Sequence, residues 1–200
     1  MEVRELAVPD SYVVELTAHG DPRGRLVEWF RADALAEVTG VPLGIAQANH
    51  TVSARGVLRG LHFSLVPPGQ GKYVYCPAGA VLDVVVDVRD GSPTFGMHDA
   101  VVLDSEQPRA VYLSEGLGHA FLSLTDDSCV TYLLSTPYAP ERDRGVHPLD
   151  PDLALPWPKD VRVEMSARDS AAPTLGQARA QGLLPTMAAC RARHAELLRG

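Results

Sequence analysis

Cysteine is scarce in this 200-residue chain: Cys76, Cys129 and Cys190 are too few and too scattered for a disulfide framework, and none forms a Cys-x-x-Cys pair. That usage fits a reducing cytoplasm. Long apolar runs are missing too. Nothing approaches the ~20 residues needed to span a bilayer, and the opening MEVRELAVPDSYVVEL lacks a signal-peptide core, so the expectation is a soluble protein without a membrane partner. Positive charge is in deficit, with 18 Lys and Arg against 25 Asp and Glu, a net charge of -7 and a pI near 5.4. This balance argues against general nucleic-acid binding and points to small-molecule partners. Gly-rich stretches such as DGSPTFG have neither the GxGxxG nor the GxxxxGK[ST] arrangement, so no dinucleotide or other redox cofactor is implied. No internal repeat, heptad or low-complexity linker forces a division into independent domains.

What is present is a succession of short β-rich runs between Ser11 and Val163, separated by Gly, Pro, Asp and Asn clusters. The strongest are YVVEL from Tyr12, GRLVEWF from Gly24, GIAQANHTVS from Gly44, KYVYCPAG from Lys72, AVLDVVVDVR from Ala80, HDAVVLD from His98 and CVTYLLS from Cys129. This spacing predicts a mainly β fold, an antiparallel sandwich or barrel of jelly-roll type. In AVLDVVVDVR, Asp83 and Asp87 stand four apart on one strand face among apolar residues, so that strand is expected to be buried on at least one side. Residues 31–39 read as a short helix ended by Gly40 and Pro42. After Pro173 the composition turns to Ala, Leu, Arg and Gln, which predicts one or two helices broken at Pro185. The expected organisation is a barrel over residues 1–172 and a helical tail, 173–200, packed on it.

Polar residues are densest from Gln47 to Lys72, where Gln47, Asn49, His50, Arg55, Arg59, His62 and Lys72 interrupt apolar positions. On a regular strand Leu58, Gly60 and His62 would share one face and Arg59 and Leu61 the other, unless the glycines introduce a bulge. An isolated histidine in such a strand is ordinarily a hydrogen-bonded structural residue; an imidazole titrating near neutrality is also a suitable general base when a carboxylate holds its tautomer. Asp169, in SARDS, has the right chemistry, but nothing in spacing joins it to His62, and by itself it reads as a loop residue or helix cap. Arg59 and Lys72 fit either solvated surface charge or anion binding. Tyr132 fits either a core tyrosine or a proton donor, and His119 either a strand-end histidine or a ligand contact. A metal-binding barrel of this kind requires a His-x-His pair with a carboxylate and a distant third His. His62 is followed by Phe63 and Ser64, and His50 lies too far off, so a metal-free site is expected.

Together, DPRGRLVEWF from Asp21, QANHTVSARGVLRGLHF from Gln47, GQGKYVYCPAGAVLDVVVDVRDGSPTFG from Gly69, STPYAPERDRGVHPLDPDLALPWP from Ser135 and MSARDSAAPTLGQARAQGLLP from Met165 resemble the dTDP-4-dehydrorhamnose 3,5-epimerase family over roughly residues 10–185. The resemblance implies a cupin-type jelly-roll barrel, no cofactor and a homodimer in which an N-terminal strand extends the neighbour's sheet. It implies a dTDP-linked 4-keto-6-deoxyhexose as substrate, inverted at C5, C3 or both. His62 would be the base, Asp169 its orienting carboxylate, Tyr132 the acid on the opposite face and Lys72 the cation that stabilises the enolate. Arg59, Gln47, Asn49 and His119 would bind substrate, Tyr138 would stack on the thymine, and Arg23 and Glu28 also match binding positions, with Arg23 reaching across the dimer.

The chain departs from the family pattern at Arg25, Phe63-Ser64, Leu117-Gly118, Ala120 and Pro148-Leu149. These departures leave acid, base and cation in place and alter the pocket wall, as expected of variants in antibiotic deoxysugar pathways. Two other readings stay open: a sugar ketoisomerase on the same barrel, and a catalytically silent sugar-nucleotide-binding cupin.

Overall fold

A computed structural model describes residues 1–199 of the chain. The N-terminal strands are β1 (Glu2–Glu5), β2 (Ser11–Glu15), β3 (Ala18–Asp21) and β4 (Gly24–Val27), followed by α1 (Ala32–Thr39). The barrel continues through β5 (Gln47–Ser53), β6 (Leu58–Ser64), β7 (Lys72–Ala78), β8 (Ala80–Val86), β9 (His98–Asp104), β10 (Arg109–Leu113), β11 (Gly118–Ser123), β12 (Ser128–Leu134) and β13 (Asp143–Gly145). Three helices close the chain: α2 (Ala167–Ser170), α3 (Leu175–Ala180) and α4 (Met187–Leu197). The strands form a six-stranded sheet ordered β1-β2-β10-β7-β12-β5, a five-stranded sheet ordered β13-β6-β11-β8-β9, and a separate β3-β4 hairpin. This is the expected jelly-roll barrel.

The side-chain alternation explains why the strands are so apolar. From β7, Val74 and Cys76 enter the core between the sheets with Val81 and Val85 of β8, whereas Tyr73 and Tyr75 face the opposite way into a second cluster with Leu35 of α1, Trp29 and Phe30. From β8, Val84 and Val86 face away from the inner core and pack with Leu175, Ala178 and Leu184 of the C-terminal segment. β8 is therefore covered on both faces, which a nearly continuous apolar run requires. Asp83 and Asp87 play separate parts, because β8 ends at Val86 and Asp87 lies beyond it, holding the buried guanidinium of Arg89 at 2.9 Å.

The run GRLVEWF forms a strand only as far as Val27. Trp29 and Phe30 leave the hairpin because their rings pack, half-buried, against the sheet, Trp29 stacked on Tyr75 at 5.5 Å and Phe30 edge-on to Tyr73 at 5.1 Å; the Tyr73 hydroxyl also donates to the Trp29 carbonyl at 2.7 Å. The helix after it ends where expected, on Gly40 in the left-handed region at φ 74°. No described helix is long and apolar enough to cross a membrane.

Candidate active site

A cavity of about 730 Å³ is lined from both sheets. β5 contributes Gln47, Asn49 and Thr51, which alternate with the exposed Ala48, His50 and Val52 and so all face inward. Arg59 and His62 come from β6, Lys72 from β7, His119 and Phe121 from β11, and Tyr132 from β12. Tyr138, Asp143, Ser166, Arg168 and Asp169 complete the wall.

Strict alternation along β6 would have separated Arg59 from His62. The strand is bulged instead: Arg59 pairs with Phe121 and His62 with His119, so β6 advances three residues where β11 advances two. Both polar side chains consequently line the cavity, while Leu61 and Phe63 turn into the outer cluster. Gly60 makes the bulge possible. Its φ is +114°, and a Cβ there would lie 2.6 Å from the His119 carbonyl oxygen, closer than any real Cβ approaches.

Asp169 reaches His62 across 107 residues of chain, Oδ1 to Nε2 at 2.7 Å. It is not a solvated loop residue: its side chain is only 6% exposed. It occupies the first turn of α2, whose N-cap Ser166 accepts the Asp169 N–H at 3.0 Å. Burial alone would raise the Asp169 carboxyl, but His62, Ser166 and the Gly60 N–H outweigh it and hold the pKa below the usual carboxylate range. An ionised carboxylate accepts a hydrogen bond from Nε2–H, which leaves Nδ1 of His62 as the basic nitrogen.

Across the cavity stands Tyr132, whose phenol is pushed up by desolvation against smaller opposing effects from Arg59 and Asn49. It therefore stays protonated through neutral pH. Asn49 is its direct neighbour on β5. The protein packed around Lys72 desolvates its ammonium and lowers its pKa, with Asp143 and then Asp83 acting in the opposite sense. Arg59 is fixed by its Nε–H donating to Ser53 Oγ at 3.0 Å. Tyr138 stands at the rim, 55% exposed, its N–H bound to Gln47 Oε1 at 2.8 Å. His119 is buried on β11 with Nε2 2.6 Å from Asp83 Oδ2.

Arg23 and Glu28 are not part of this cavity's lining. Arg23 lies on the exposed turn of the β3-β4 hairpin, paired with Asp21 at 2.5 Å, and Glu28 faces Arg31 at 3.9 Å. Sequence reasoning also missed several residues of the site. Asp143 and Arg168 form an ion pair at 2.5 Å on the cavity wall, yet β13 and α2 are three and four residues long, too short to carry a periodic signal. Asp83 looked like one of two equivalent strand carboxylates, and only the β8-β11 pairing shows that it serves His119.

The family model for dTDP-4-dehydrorhamnose 3,5-epimerase matches residues 5–177. The chain belongs to this family. Within the dTDP-4-dehydrorhamnose 3,5-epimerase family it is 51% identical, over 96% of its length and 94% of the relative's, to the dTDP-4-dehydrorhamnose 3,5-epimerase of Mycolicibacterium smegmatis. It is 52% identical, over 90% of its length and 92% of the relative's, to the dTDP-4-dehydro-6-deoxyglucose 3-epimerase of Streptomyces bikiniensis. A solved structure of ChmJ, a 3'-monoepimerase from Streptomyces bikiniensis in complex with dTDP-quinovose, superposes with a TM-score of 0.95 at 49% identity, covering 98% of each chain. Relatives acting at two centres and at one thus lie at similar distance.

Proposed function

We propose that this protein is an epimerase of a dTDP-linked 4-keto-6-deoxyhexose in deoxysugar biosynthesis, with His62 as base and Tyr132 as acid. The observation that carries the reading is the convergence of the Asp169-oriented His62, the protonated Tyr132 and the Lys72 ammonium on one cavity. A proton next to a ketone leaves only if the resulting enolate is stabilised. In this reading His62 Nδ1 takes that proton, Asp169 supports the imidazolium formed, and Lys72 faces the C4 oxygen as negative charge builds there. Tyr132 then protonates the same carbon from the other face, inverting it. One proton leaves and one returns, no electrons are exchanged, and no redox cofactor enters the balance.

Arg59 would bind the diphosphate, Gln47, Asn49 and His119 the substrate's polar groups, and exposed Tyr138 the thymine by stacking. Arg23 and Glu28, remote from this cavity, fit the neighbouring site of a homodimer, with the β3-β4 hairpin reaching over. Light scattering should give a dimer, and a monomer would remove those two residues from the site. Residues 1–172 would constitute the barrel unit and 173–200 its cover. Three unpaired thiols suit a cytoplasmic enzyme.

The test is incubation with dTDP-4-keto-6-deoxyglucose in deuterated water, following C3 and C5 separately by NMR. Exchange at both carbons identifies a 3,5-epimerase and exchange at one a mono-epimerase. If neither exchanges, with this sugar or its 2-deoxy analogue, the epimerase reading is wrong and a silent binding protein takes its place.

A further inference from the structure

The cavity contains a second histidine–carboxylate pair that the proton transfers above leave unused. His119 stands directly opposite His62 on the neighbouring strand. Its Nε2 lies 2.6 Å from Asp83 Oδ2, and its ring lines the cavity. The Asp83 side chain is fully buried, and its other oxygen, Oδ1, has no hydrogen-bond partner among the described residues. Asp83 is itself absent from the cavity lining, so it acts from behind. We propose that Asp83 is a positioning residue that keeps the proton of His119 on Nε2 and so presents Nδ1 to the cavity as an acceptor for a hydroxyl on the substrate's sugar ring.

Three arguments support this assignment. An ionised carboxylate accepts but cannot donate, so the ring nitrogen beside it must carry hydrogen. The Nδ1 atom of His119 makes no hydrogen bond to any described residue, which leaves it for a ligand. Charge supplies the third. Asp143 is already paired with Arg168, and Asp83 is the remaining carboxylate that acts on Lys72. One buried carboxylate compensates one buried cation, here Lys72, and leaves no charge to balance a second. A neutral imidazole with its proton committed to Asp83 can only accept at Nδ1. A site built to bond a hydroxyl in this way disfavours a sugar that lacks it, so the pair tests the substrate for a hydroxyl that donates to Nδ1.

The proposal rests on the epimerase reading for the nature of the ligand, and two measurements separate their fates. The first is the ¹⁵N spectrum of histidine-labelled wild-type protein at neutral pH, with His119 assigned by comparison with His119→Gln. The expected signal is the neutral tautomer protonated at Nε2; a proton on Nδ1, or on both nitrogens, overturns the proposal whatever the enzyme's activity. The second is Asp83→Asn, whose amide can donate to Nε2 and send the proton to Nδ1. Wild-type deuterium exchange establishes the substrate. Against that control, Asp83→Asn should lower kcat/KM by roughly tenfold to a hundredfold, the loss of one well-placed hydrogen bond, with affinity for dTDP alone unchanged. Unchanged kcat/KM in the variant overturns the proposal while leaving the epimerase reading intact. Should Asp83→Asn fail to fold, the wild-type spectrum decides by itself.

Discussion

The two histidine–carboxylate pairs face each other across adjacent strands, yet they are built by opposite means. His119 and Asp83 belong to paired strands of one sheet, and their meeting follows from the ladder that joins β11 to β8. His62 and Asp169 meet because a bulge turns β6 and because a four-residue helix near the end of the chain delivers the carboxylate. The first pair is the more enclosed, with side chains 10% and 0% exposed; in the second the imidazole is 30% exposed and its carboxylate 6%. A histidine that only accepts a hydrogen bond, held by a carboxylate behind it, can sit in a rigid sheet. A base that must meet substrate needs an open face, and its orienting partner then comes from a separate element behind it.

The largest effect should come from breaking the second pair at its base. His62→Ala is expected to lower kcat by about 10²- to 10⁴-fold, the usual contribution of a general base, and to abolish deuterium uptake at the reacting carbons while dTDP still binds. Tyr132→Phe should separate the two faces of the reaction. The base still removes and returns a proton, so NMR should show exchange persisting with retention while inverted product falls by a comparable factor.

Gly60→Ala strikes where the pairs adjoin. A Cβ pressed toward the His119 carbonyl in a positive-φ backbone is expected to cost about 1–3 kcal/mol, visible as a lower denaturation midpoint, with activity reduced beyond the loss of folded protein.

Acid should also distinguish the second pair. Asp169 has a depressed folded-state pKa, so its contribution to stability is full above the unfolded carboxylate value and is lost as pH falls through the folded value. Asp169→Asn should therefore flatten the acid limb of a stability–pH profile, and an unchanged limb would show that the pair contributes nothing there. Smallest of all, Ser166→Ala removes the cap of α2 at a cost of about 1 kcal/mol. It should loosen His62 alone, leaving the ¹⁵N signature of His119 as in wild type.

The same contrast decides what could be read from the sequence. Strands β7, β8, β9 and β12 were legible because apolar residues, alternating or nearly continuous as in β8, mark covered faces, and Lys72 and Tyr132 came with them. The inward set Gln47 and Asn49 follows the same period of two. Legibility ended where the period breaks. Gly60 signals that a bulge is possible without fixing one, so Arg59 and His62 could not be assigned to one face, and Asp169 resembles any capping residue until α2 is folded against β6. Family resemblance joined it to His62, which spacing could not do. Arg23 and Glu28 came by the same route, and one chain's cavity leaves them outside.

One consequence concerns the order in which the molecule is made. Domains form from the N-terminus as synthesis proceeds, and every strand of both sheets precedes residue 146, whereas Asp169 and the cover formed by Leu175, Ala178 and Leu184 follow. A nascent chain thus carries every strand and His62 before it owns the carboxylate that fixes the imidazole's tautomer. The residues that frame the cavity are thus made before the one that orients its imidazole, and elongation past α2 completes the pair.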